Sequence, residues 1–226
     1  MLNLALAMLF FVGIHFLISG TGLRDRLVAY RGEQAFRAAF SVLSLLALGW
    51  VVFAYRQAPY VETWGQLTGF KPIAAVLMLV SFIFVVAGLT TPNPSAVSGE
   101  SVLNDAEAAR GILRITRHPF LWGLSLWALV HVIANGDVAA LLLFGSLLAL
   151  CLAGTRSIDA KRRRTYGDRW ERFAAATSNV PFMAIKEGRN RLELGEIGWQ
   201  RLGIAVALYL AMLHFHAKIF GVSPLF

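Results

Sequence analysis

The sequence predicts an all-α fold: a polytopic integral membrane helical bundle of about six transmembrane helices. Hydrophobic residues make up 57% of the 226 positions and charged residues only 15%, with mean hydropathy +0.62. A soluble domain carries roughly 25% charged residues. Apolar runs recur at lengths able to cross a hydrocarbon core of roughly 30 Å, which takes about 20 helical residues. The cations fall in alternate connections: residues 21–37, 91–118 and 156–201 hold 18 of the 21 Lys and Arg. That asymmetry is what retention of positive charge on one membrane face produces.

The first segment covers about 2–20 and closes on Ser19-Gly-Thr-Gly22. It has neither Lys nor Arg, so it lacks the basic start of a signal peptide and reads as an uncleaved span. A charged loop, 23–33, leads to segment two at about 35–55, and segment three follows at about 71–90. Thr91-Pro-Asn-Pro-Ser95 ends it, because proline removes donors and biases its predecessor away from helix. Residues 96–113 form a polar connection with a helix expected around Asn104–Arg110. Pro119 marks the start of segment four, about 119–134, since proline is tolerated in a first turn. Asn135-Gly-Asp137 is a tight-turn signature joining it to segment five, about 138–155. A long polar stretch, 156–199, precedes segment six at about 200–221. The whole chain, 1–226, reads as one transmembrane domain.

With six spans the basic loops share the cytoplasmic side, and both termini face the periplasm of a bacterial inner membrane. The net charge of +8 points to anionic lipid headgroups as the partner, and not to nucleic acid. The run Arg156 to Phe173 reads as an interfacial element, with Ile158, Trp170 and Phe173 toward apolar lipid and Lys161–Arg164 on the headgroups. Cys151, the single cysteine, lies in an apolar run and reads as a buried free thiol.

Chemistry concentrates on histidine. His15, His131, His214 and His216 all fall within predicted spans, where an ionisable side chain is costly and marks a candidate site. With few acids near the spans, four imidazoles suit haem iron or another imidazole-preferring metal better than a carboxylate-rich centre. The bland alternative is that each bridges helices by a hydrogen bond. His118 and His131 lie thirteen residues apart, about 20 Å of helix rise, so each would need a partner from another segment. His214 and His216 point to different sides of one helix. Arg117 and His118, at the interface, could hold the acidic groups of a cofactor such as haem propionates; Arg114 reads as snorkelling to headgroups.

Several stretches together resemble the NnrU family of bacterial membrane proteins, whose plant relative is zeta-carotene isomerase. They are Gly13-Ile-His15, Leu23-Arg-Asp25, Gly32-Glu-Gln-Ala-Phe-Arg37, Gly111 to Pro119, Leu126 to His131 and Asn135-Gly-Asp137. Asp159 to Gly167, Thr177 to Ile185 and Glu187-Gly-Arg189 continue the match. The resemblance implies haem b with two histidine ligands, falling on His15 and His131, with His216 matching a further histidine of the isomerase. A histidine that the isomerase has after its second span is absent here, where Arg56-Gln57 stands. Depth along the spans alone would make His214 or His216 the easier partner for His131.

The resemblance also implies redox-active or redox-sensing work linked to denitrification, in nitrite or nitric oxide reduction, with a redox partner. Three alternatives stand beside it. One is a haem-dependent cis–trans isomerase of a carotenoid-like, lipophilic polyene. Another is an S-adenosylmethionine-dependent membrane methyltransferase, since Arg117-His-Pro119, Tyr166-Gly-Asp-Arg-Trp170 and Pro181 are loosely similar to isoprenylcysteine methyltransferases. The last is a non-catalytic assembly factor.

Overall fold

The computed structural model describes residues 1–96, 99–105 and 108–225. It is all-helical: among the described residues the one extended pairing is an isolated bridge between Glu62 and Asp137. Four helices are long and apolar enough to cross a membrane, or five if a bent pair at the N-terminus counts as one span. The chain divides into two compact units, Met1–Leu67 with His131–Leu150, and Thr68–Val130 with Cys151–Phe226.

In the first unit, α1 (Leu2–Ile14) runs into a π turn, His15–Ser19, and α2 (Gly22–Arg31) leaves at 74°. Thr21 caps α2 by accepting from Leu23 N at 3.2 Å. Gly32, at φ +83°, separates α2 from the long span α3 (Glu33–Arg56). The C-terminal end of α6 (Pro119–Asn135) returns the chain to this unit. It turns through Gly136 (φ +56°) into α7 (Val138–Ala140), a second π turn at Leu141–Gly145, and α8 (Ser146–Tyr166). Leu4, Ala7, Met8, Phe11 and Ile14 recur at three- and four-residue intervals and form one buried stripe of α1. They pack with Ala47, Val51 and Ala54 of α3, whose small side chains let helices approach closely where lipid gives no hydrophobic drive. Most of α3 is exposed, as a lipid-facing helix should be.

The loop before α4 is sewn onto the α6–α7 turn. Thr63, Trp64 and Gly65 all donate their backbone N–H to Gly136 O, at 2.8, 3.2 and 3.0 Å. Trp64 Nε1 adds a bond to Ile133 O at 3.0 Å. Asp137 caps α7 through Ala140 N at 3.0 Å.

In the second unit, α11 (Trp199–Phe220) packs along α4 (Lys71–Thr90). α6 starts at Pro119, where the proline signal places it, and lies close against α4. Ser81 Oγ donates to Gly123 O at 2.8 Å, and a Cβ on Gly88 would sit 2.5 Å from Phe120 N. The core gathers Phe84 and Ala87 of α4, Ile112, Leu113 and Ile115 of the short α5 (Ile112–Ile115), and Trp170 and Phe173 of α9 (Asp168–Ala176).

Three sequence expectations change. The helix expected over Asn104–Arg110 is partly outside the described residues, at Ala106 and Glu107; the described helix nearby is α5, preceded by a 3₁₀ turn at Glu100–Asn104. The fifth apolar run does not stop near residue 155: the helix continues through Gly154 to Tyr166, for 29 residues in all, and ends at Gly167, which takes φ +49°. The basic run is thereby helical. Trp170 and Phe173 do not face lipid; they are buried at 0% and 5% exposure, because α9 turns them into the core.

Candidate functional site

His15 follows the buried stripe of α1 and opens the first π turn. A π turn accommodates one extra residue per ring and is frequent at functional sites. His15 Nδ1 lies 2.7 Å from Phe11 O. A carbonyl only accepts, so Nδ1 carries a proton and Nε2 is the ring nitrogen left to face a ligand. The ring packs at 4.5 Å from Phe11 and edge-on at 5.3 Å from Phe40 of α3. His131 lies one turn before the end of α6, half-buried, with its ring 4.7 Å from Phe144. Phe144 belongs to the second π turn and meets Tyr55 of α3 edge-on at 6.2 Å. His15 and His131 thus occupy one compact unit, each set against a π turn.

The remaining candidates belong to the second unit. His118 is buried, and its Nε2 lies 2.7 Å from Asp159 Oδ1. Arg117 donates Nε to Asp159 Oδ1 at 2.9 Å and Nη2 to Oδ2 at 2.5 Å. Asn179 Nδ2 completes the set at 3.1 Å. The backbone around them is equally tied: Arg117 N donates to Ser178 O at 2.9 Å, and Asn93 Nδ2 donates to Arg117 O at 3.2 Å. Burial pushes the His118 imidazole below its ordinary pKa, outweighing the opposing pull of Asp159. This cluster fastens the entry of α6 to α8 and to the 177–181 loop. The methyltransferase reading would draw on Arg117 and His118; both are turned onto Asp159.

Arg114 does not snorkel alone: it donates Nε to Glu196 Oε2 at 2.7 Å and Nη1 to Asn190 Oδ1 at 2.7 Å. With Gly111 N also donating, Arg114 draws the Glu196 carboxyl down to about 2. His214 is exposed on α11, and His216 Nδ1 lies 2.7 Å from Val222 O. Cys151 is buried and free. Among the described residues, no three His, Cys, Asp or Glu side chains gather as a metal site.

Sequence reasoning missed Phe144, Phe40, Asn179 and the role of Asp159. Only Asp159 left a signal, as the lone acid within the basic run Arg156–Arg164.

These helices, with one imidazole in a π turn and another packed against a second in the same unit, define an all-helical membrane protein with a histidine-bearing candidate site. The chain belongs to the NnrU family: the profile described as NnrU protein matches residues 3–224. It is 31% identical over 163 residues to the chloroplastic 15-cis-zeta-carotene isomerase of Arabidopsis thaliana, and 32% identical over 164 residues to that of Zea mays. Each match takes in 71% of this chain and 44% of the relative, so the chain spans less than half the length of the curated relatives it matches. No solved structure matches it.

Proposed function

We propose that the first unit binds haem b through His15 and His131, and that the chain works as a cis–trans isomerase of a lipophilic polyene. The observation that carries the haem reading is that His15 opens one π turn while the His131 ring packs on Phe144 of the other, within one unit. The donor chemistry fits. His15 engages Phe11 O through Nδ1 and leaves Nε2 to a ligand, the arrangement metal-ligating histidines use. Phe144 restricts the rotation of the His131 ring. A porphyrin would bring four nitrogen donors of its own, so His15 and His131 would be enough to hold the iron. Haem b would supply a redox-active iron when bound; the chain's residues orient the imidazoles. The isomerase names of the two plant relatives favour this reading over electron transfer alone.

An absorption spectrum of the purified protein, oxidised and dithionite-reduced, tests the haem. A low-spin Soret band is expected, altered by His15→Ala and by His131→Ala but not by His214→Ala. A haem-replete preparation with no Soret band, or one altered only by His214→Ala or His216→Ala, overturns it. Polyene isomer ratios under anaerobic reduction test the activity separately. A haem protein that leaves the ratio unchanged moves the reading to electron transfer linked to nitrite or nitric oxide reduction.

We further infer six crossings of a bacterial inner membrane, with both termini periplasmic. α6, at 17 residues, supplies a short crossing, and the alternation of the basic loops carries the orientation. The helical basic run Arg156–Arg164 then lies among anionic headgroups.

A further inference from the structure

A cavity of about 370 Å³ opens between the first π turn, α2 and the start of α3. Ile18 contributes one wall, Leu27 another, and Phe36, Ala39 and Leu43 the α3 side. Those three α3 residues fall at intervals of three and four, on one helix face. The lining is almost wholly apolar, and its single charged member is Arg31. The cavity exists because α2 bends away from α1 by 74° and Gly32 folds it back beside α3.

The charges around it are unequal. Arg24 and Arg37 share Glu33, with Arg24 Nη2 at 2.5 Å and Arg37 Nε at 2.8 Å from Glu33 Oε1. Arg31 has no carboxylate partner among the described residues; its guanidinium stacks at 4.8 Å over Tyr30. An apolar hollow with an uncompensated cation at its rim fits an amphiphile with an anionic head. A neutral hydrocarbon would leave Arg31 unanswered, and a soluble anion would leave the hollow unfilled. The volume is at the lower end for ligand sites, roughly 300–1,000 Å³, and suits part of one chain better than a whole lipid. The hollow also belongs to residues 18–43, a stretch that holds four arginines.

We propose that this cavity seats one acyl chain of an anionic phospholipid, whose phosphate pairs with Arg31. Because Ile18 lies within the π turn that His15 opens, the bound chain braces that turn. The seat stands whether or not His15 binds iron.

Native mass spectrometry of the full chain in mild detergent tests this, with phosphatidylglycerol and phosphatidylcholine of identical acyl chains offered in equal amounts. One phosphatidylglycerol per protein should be retained, at about fivefold preference, the factor worth about 1 kcal/mol for a single cation at a lipid surface. Ala39→Trp, which fills the cavity, should remove retention of both lipids while the thermal midpoint holds. Arg31→Gln should retain lipid but lose the preference, which keeps the test alive if Ala39→Trp misfolds. Equal retention of the two lipids by the unaltered protein overturns the proposal. So does a preference that survives Arg31→Gln, or palmitate displacing phosphatidylglycerol from the unaltered protein.

Discussion

Asp159 accepts from Arg117, His118 and Asn179 across gaps of 42, 41 and 20 residues. Removing it strands a guanidinium and an imidazole in a mostly buried place, and breaking a buried pair from one side costs about 3 kcal/mol or more. Asp159→Ala should therefore lower the unfolding free energy in detergent by about that much, read from a denaturant midpoint. The His118 pKa is depressed on folding, so the folded form binds fewer protons than the unfolded one. Its stabilising share is complete above the unfolded value of 6.5 and is lost as pH falls below it. Unfolding midpoints measured at pH 8 and pH 5 should differ in that sense, and His118→Gln should flatten the difference. Arg117-His118-Pro119 was legible in the sequence as a conspicuous tripeptide at a helix entrance. Its partner was not, because nothing local states which of the distant acids or cofactor groups a basic pair will meet.

At the scale of elements, α4 and α6 touch through glycines. A Cβ on Gly123 would lie 2.9 Å from Val85 N and 3.0 Å from Ser81 O. Backbone atoms cannot swing aside as a side-chain tip can. Gly123→Ala should thus force the two helices apart at a cost of about 1–3 kcal/mol, visible as a lowered thermal midpoint beside an unaffected Gly203→Ala, whose Cβ would meet nothing within 4 Å. The helices themselves were legible from apolar runs and from Pro119, Thr91-Pro92 and Asn135-Gly136. The π turns were not. A π turn differs from an α turn by one residue of winding, which the composition of His15–Ser19 or Leu141–Gly145 does not encode. The length of α8 was also missed, since the charges of Arg156–Arg164 do not break a helix.

At the scale of the whole molecule, the alternation of charge makes a topological prediction. In a Cys151→Ser background, cysteines placed at Asn3 and Val222 should react with an impermeant maleimide on intact spheroplasts. One placed at Thr165 should react only after permeabilisation; the reverse pattern would invert the assigned orientation. The tertiary stitching escapes such sequence arguments, as the Gly136 carbonyl illustrates. Three successive amides, Thr63, Trp64 and Gly65, end on that one oxygen, which has two lone pairs. None of the three can reach deuterated solvent without the α6–α7 turn and the preceding loop parting, so one opening event governs them all. Their hydrogen-exchange rates, once corrected for intrinsic chemistry, should coincide and respond together to a loosening of the turn. Three independent rates would mean that the loop peels away one residue at a time.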